Sequence, residues 1–342
     1  MTLKPFHGFK FLQTHHCVTG SIRHIYEFNQ YPISEELLLG LGAGVGFLYW
    51  HMQGTDPFYG GRANVEKPGE QGLEITIGHR TGVGVQSIYT KSSSRAEKIL
   101  LTHLEAGRPV MVILDMGFLP YLNLPEGYHF GYHAVVVCGY DPENRQVLIA
   151  DRDGTPHLVT FEDLARARGS SYKPFPPQNH WYEFDFNGKR PPHPDEIRQA
   201  IQEVVRGMLE PPIANFGVKG IRKAKEQTLK WPRMMDKETL RRVCFNIYVF
   251  IDAMGGTGGG IFRYMYGRFL KEAGEITKEV RLGDIGDELH AIGDLWQGVA
   301  VGFKSASEIP DPAPLLPEIV APLTHIADRE QVAWTKLGDI VG

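Results

Sequence analysis

Three residue types in this chain suit a single reaction: a cysteine, a histidine and an aspartate, at Cys17, His133 and Asp151. Cysteine reacts as its thiolate. Cys17 stands just before an apolar-periodic run. A thiol at a helix start sits beside unpaired N–H groups and a partial positive charge, and both favour the ionised sulfur. A histidine takes the thiol proton, and an acid fixes the imidazole tautomer and steadies its positive form. That is the machinery for covalent attack on a carbonyl. Taken alone, a free cysteine is more often a small buried apolar residue than a nucleophile; His133 and the acid give Cys17 its weight. Asp153 lies two residues beyond Asp151 and shares its strand face, so either can be the acid.

Each of these side chains needs an element to place it. Apolar positions Ile22, Ile25, Tyr26 and Phe28 predict a helix over Val18 to Gln30, with Cys17 at its head. His133 opens the strand Gly131–Asp141. Asp151 closes the next strand, Gln146–Asp151. The backbone N–H of Cys17 is the expected oxyanion donor, with Gln13 as a second candidate. Met116–Phe130 is aromatic and broken by Pro120, Pro125 and Gly127; with Phe130 and Tyr132 it is expected to wall the substrate cleft. Ser34 caps a short helix. The run Gly40–Phe47 follows a helix rather than a strand and lacks a closing Lys-Ser or Lys-Thr, so it does not fit a phosphate loop. Its glycines, Gly44 among them, are expected to let the backbone pass close to the cleft. Further expected elements are short strands at 47–50 and 73–78, a helix from Ser92 to about Ala106 and a buried strand at 108–115. Thr160 caps a small helix, and Trp181–Phe186 is a closing strand.

Asn187–Pro194 is polar and rich in Gly and Pro, and reads as a linker. It predicts a first domain at 1–190 and a second at 191–342, where the pattern turns helical. In the second, Gly255–Gly260 leads into a helix carrying Arg263 and Arg268. Such a helix start can hold an anion, which makes Arg263 a candidate for binding a phosphate group. Alternatively, the glycines end one helix and let two helices pack closely.

The order Cys, His, Asp, with more than a hundred residues between the first two, is that of papain-like cysteine enzymes. The motifs His16-Cys17-x-Thr19-Gly20-Ser21, Ser34–Gly42 and His133–Val137 with Gly139-Tyr140-Asp141 resemble the N-terminal domain of the butirosin-biosynthesis acyltransferase family. Gly258–Ala273 resembles the helical domain often fused to it. The resemblance implies an α+β fold, with a papain-like domain of N-terminal helix and antiparallel sheet followed by a mainly α-helical domain. It implies acyl transfer from a carrier-protein thioester to a small amine, through Cys17 and His133. The acyl donor is then borne on phosphopantetheine, and no other cofactor is called for.

The chain of 342 residues is 42% hydrophobic and 22% charged, the balance of a globular protein. A net charge of −4 gives no bulk attraction to nucleic acid or to an anionic membrane. No apolar run nears the ~20 residues of a membrane span. The first residues lack a signal-peptide layout, and three cysteines make no disulfide framework, so a reducing cytoplasm is expected. His15, His16 and Cys17, with His129 and His133, suggest a metal site, but without the paired spacing of zinc ligands; none is expected. Cys138 and Cys244 read as core residues. The helical domain is expected either to cover the cleft or to offer a homodimer face. A peptidase or amidase using the same residues, and a non-catalytic binding protein on the same fold, are the alternative functions.

Overall fold

The first helix, α1 (Cys17–Phe28), forms where the pattern places it. Val18, Ile22, Ile25 and Tyr26 share its buried face. His16 is the N-cap, its ring accepting from the Thr19 N–H. The helix stops two residues short of the expected end. Gln30 takes a left-handed φ of 54°, and Asn29 turns its amide back onto the Ile25 carbonyl.

The computed structural model describes residues 3–52, 54–66, 71–173 and 175–342. After α1 come α2 (Glu35–Leu41), β1 (Val45–Trp50), β2 (Phe58–Arg62), α3 (Leu73–Thr81), β3 (Gly84–Ile88), α4 (Ser93–Glu105) and β4 (Val110–Leu114). There follow β5 (His133–Asp141), β6 (Gln146–Ala150), β7 (Pro156–Thr160), α5 (Phe161–Gly169) and β8 (Trp181–Asp185). The remainder is helical: α6 (Pro194–Leu209), α7 (Gly217–Thr228), α8 (Lys237–Ile251), α9 (Gly260–Thr277), α10 (Arg281–Glu308), α11 (Leu316–Val320) and α12 (Pro322–Val341). This is an α+β architecture. No helix among the described residues is long and apolar enough to cross a membrane.

The chain forms two compact units, Met1–Leu38 with Ile77–Pro191, and Leu39–Thr76 with Pro192–Gly342. A single division at the linker would leave 39–76 with the first unit. The contacts put it in the second, because β1 and β2 pack on α7 and α8.

In the first unit an antiparallel sheet runs β3-β8-β4-β5-β6-β7. The strand expected to close the domain, β8, is thus an inner strand. Val110, Val112, Leu114, Val135, Val137 and Ile149 meet Leu100, Leu104 and Leu164 of α4 and α5. Met111, Ile113, Ala134 and Val136 point the other way, toward α1, which packs on β4 and β5. A strand covered on both faces is apolar throughout, as β4 is.

The segment 73–78, expected as a strand, is the helix α3. Leu73, Ile77 and Thr81 are buried at helical spacing. Its β-branched residues imitate a strand locally, but burial at every fourth residue decides the outcome.

In the second unit Arg263 is fully buried. Its guanidinium makes a bidentate pair with Glu330 at 2.9 and 2.8 Å and bonds the Gly46 carbonyl at 3.1 Å. The indole N–H groups of Trp296 and Trp334 donate to the same carboxylate. Arg263 is therefore no phosphate ligand: its charge is spent inside the unit. The neighbouring glycines serve close packing, since a Cβ at Gly61 would lie 1.9 Å from the Thr257 carbonyl oxygen. Gly44 is likewise tightly packed, for a Cβ there would strike Leu73 and Leu39 at 2.3 and 2.8 Å.

Candidate active site

Cys17 is the first residue of α1, and His133 is the first of β5. Because α1 packs on β5, the two side chains meet. The Cys17 thiol and the His133 ring are close enough to shift each other's ionisation, the ring lowering the thiol and the thiol raising the ring. Nε2 of His133 lies 2.7 Å from Oδ2 of Asp151, which leaves Nδ1 as the nitrogen for the sulfur. Asp151 follows β6 directly, and β6 is the antiparallel neighbour of β5. Strand pairing thus sets the acid behind the ring.

Of the two acids, it is Asp151 that reaches His133. Asp151 is buried and holds His133, whereas Asp153 is exposed and bonds His157 at 2.9 Å. The chain turns after β6, so the two carboxylates do not share a face. Asp151 is itself fully engaged. Its Oδ2 also accepts from the Tyr121 hydroxyl at 2.9 Å, and Oδ1 accepts from the Arg152 N–H at 2.8 Å. Tyr121 in turn stacks on the His157 ring at 3.9 Å. Tyr121 escaped the sequence reading, being one of several aromatics in a loop with no periodic pattern.

The electrostatics follow from these contacts. Burial opposes ionisation of Cys17, but the His133 bond and charge, the Ala134 N–H and the nearby Arg152 charge outweigh it and bring the thiol below its ordinary range. Burial likewise disfavours a charged His133, yet the Asp151 charge and hydrogen bond, with the Cys17 partner, push it up to about 9. Burial would raise Asp151; the His133 charge and bond, then Arg152 and Tyr121, hold it well below the usual carboxylate range. A depressed thiol beside a raised imidazole favours a thiolate–imidazolium pair over the neutral one.

Cys17 as a residue is half-buried. Among the described residues its backbone N–H has no protein acceptor, as is common for a donor in the first turn of a helix. Gln13 is placed differently from the expectation. It is exposed, its backbone bridges to Asp153, and its side-chain amide makes no hydrogen bond among the described residues. Its contribution is to tie the segment before α1 to the turn bearing Asp151. Thr14 continues that tie, donating its N–H to the Arg152 carbonyl at 2.8 Å.

The loop before His133 is pinned at Asp115, which is fully buried at the end of β4. Its carboxylate accepts from the N–H groups of Gly117 and Phe130, from the Ser170 hydroxyl at 2.6 Å and from His129 Nδ1 at 2.9 Å. The His129 ring stacks on Tyr172 at 3.4 Å. Phe130 is therefore held by its backbone, with its ring against Phe175; Tyr132 is half-buried next to His133. Cys138 and Cys244 are buried, and burial pushes both thiols up, to about 12 in the case of Cys244.

Another carboxylate bears on the nucleophile from a different side. Glu35, at the start of α2, is fully buried. It accepts from the His15 and His16 N–H groups, both at 2.8 Å, and from the Thr19 hydroxyl at 3.0 Å. Its motif was read only as the opening turn of a short helix. The signal is faint, because nothing local marks an acid in a helix's first turn as buried.

No curated protein matches the chain. Residues 162–337, over half its length, match a domain of unknown function, DUF4872. Residues 16–152, which hold Cys17, Glu35, Tyr121, His133 and Asp151, match the family described as butirosin biosynthesis protein H, N-terminal. The chain therefore belongs to the family of proteins with a DUF4872 domain, here joined to an N-terminal domain that matches the one described as butirosin biosynthesis protein H, N-terminal.

Proposed function

We propose that this protein is a cysteine acyltransferase that moves an acyl group from a thioester to a small amine through an acyl-Cys17 intermediate. One observation supports the reading: Cys17 at the head of α1 sits against a His133 ring whose far nitrogen is held by Asp151 at 2.7 Å. A helix-borne cysteine against a strand-borne histidine is also the papain-like arrangement.

His133 holds the proton that leaves Cys17. The thiolate attacks the thioester carbonyl, and the C=O pair moves onto oxygen, where the Cys17 N–H donates to it. Collapse breaks the carbon–sulfur bond of the donor, and the departing thiolate takes the proton from His133. The amine then attacks acyl-Cys17, gives a proton to His133 and expels the Cys17 thiolate. Thioester and amine become amide and thiol. The first exchange trades one thioester for another and is nearly balanced in energy, so the acyl-enzyme persists until an amine arrives. The donor fits a carrier protein's phosphopantetheine arm, and the setting fits a reducing cytoplasm.

The test uses a short acyl thioester of N-acetylcysteamine and intact-protein mass. The expected result is one acyl adduct, lost in Cys17→Ala, discharged by added small amines with formation of the amide. Discharge to water alone makes the protein a hydrolase. No adduct, with Cys17 no more reactive than a free thiol, makes it a binding protein.

A further inference from the structure

Glu35 takes no part in the steps above, yet it holds the two peptide groups immediately before the nucleophile. An acid with no exposure is retained only where its oxygens are satisfied. Here both are: Oε2 takes the His15 N–H, and Oε1 takes the His16 N–H and the Thr19 hydroxyl. The donors lie one residue and two residues before Cys17 and two residues after it, so one carboxylate brackets the turn that aims the sulfur. The His16 ring lies 3.1 Å from the same Thr19 hydroxyl and caps the helix. Gly20 lets this turn sit against Thr14, since a Cβ there would come 2.4 Å from the Thr14 hydroxyl oxygen.

From this bracket we infer that Glu35 is a positioning residue for Cys17: its carboxylate holds the His15–His16 turn in the orientation that brings the sulfur onto His133. The inference rests on the cysteine reading of the site. It adds a group that touches neither substrate nor sulfur and works through the backbone.

Gln is the informative replacement. It keeps the shape, but its NH2 group faces a backbone N–H where an oxygen stood, so one donor loses its acceptor. A positioning role and a simple charge effect then pull in opposite directions. Losing the negative charge alone favours the thiolate and lowers the cysteine pKa. Losing the alignment with His133 weakens the ion pair and raises it.

The experiment is the pH dependence of Cys17 alkylation by iodoacetamide, on the full chain, for the wild type, Glu35→Gln and Glu35→Asp. Melting curves alongside confirm that each variant is folded. Asp keeps the charge and shortens the reach, so it covers the case in which the Gln variant does not fold. The expected result is a midpoint raised by about one pH unit, with the rate below both midpoints down about tenfold. A midpoint that falls in Glu35→Gln, or stays put in a folded variant of either kind, overturns the inference. A wild-type midpoint at that of a free thiol instead sinks the cysteine reading itself, and the two failures are told apart by that one curve.

Discussion

Tyr121 and His133 donate to the same oxygen of Asp151, at 2.9 and 2.7 Å. The aspartate is thereby locked against rotation, and the imidazole is locked with it. His133 Nε2 must carry hydrogen to use that oxygen, so Nδ1 is the nitrogen that exchanges a proton with sulfur.

Asp151→Asn removes the charge that steadies the imidazolium while keeping the shape. Turnover of the thioester should fall by about 10²–10⁴-fold, the usual worth of an effective acid–base partner. Tyr121→Phe keeps the charge and removes one bond to it. Its loss should be about tenfold, since a hydrogen bond to a charged group is worth about 1.5 kcal/mol or more. Steady-state kinetics of both variants check this ranking; a Tyr121→Phe effect equal to that of Asp151→Asn would contradict it.

The pH profile has a sign on each limb. Cys17 is shifted down, so iodoacetamide reactivity should persist below the ~8.5 midpoint of an ordinary thiol. His133 is shifted up to about 9, so turnover that needs its proton should decline above that pH while alkylation does not. In His133→Ala the alkylation midpoint should return to or above the free-thiol value. Comparing the two pH profiles is the check.

Gly20→Ala places a methyl 2.4 Å from the Thr14 hydroxyl oxygen, where something must move. The expected destabilisation is about 1–3 kcal/mol, the range for overpacking. Because Thr14 also anchors the turn bearing Asp151, alkylation of Cys17 should slow as well. Denaturant melts and alkylation rates measure the two effects.

Arg263→Ala strands the Glu330 carboxylate between two tryptophans with no cation. Breaking a buried pair on one side costs about 3–5 kcal/mol. Replacing both with apolar residues should recover much of that loss. Melting of the single and double variants decides whether the pair stabilises the unit or merely satisfies itself.

Much of the site was legible because its signals are local. Cys17 heads a periodic helix, and His133 and Asp151 flank β-branched runs. Elements with strong periodicity, such as α1, α4 and β4, lie within a few residues of their expected bounds. What escaped depends on residues distant in sequence. Glu35 and Tyr121 matter only through partners that local pattern does not identify. Arg263 looks like an anion ligand until Glu330, 67 positions later, is seen beside it. The inner position of β8 is a fact of sheet order, which strand alternation does not encode.

The assignment of 39–76 to the later unit bears on how the chain is made. Phe47 stacks on Trp296, and Tyr59 bonds Thr228 and the Ala224 carbonyl. At roughly 5–20 residues per second, Phe47 leaves the ribosome some 10–50 s before Trp296 exists. During that interval its apolar strand has nothing to bury against. A fragment truncated at 190 stays in that condition permanently and should aggregate. A two-piece expression design would instead carry 39–76 together with 192–342.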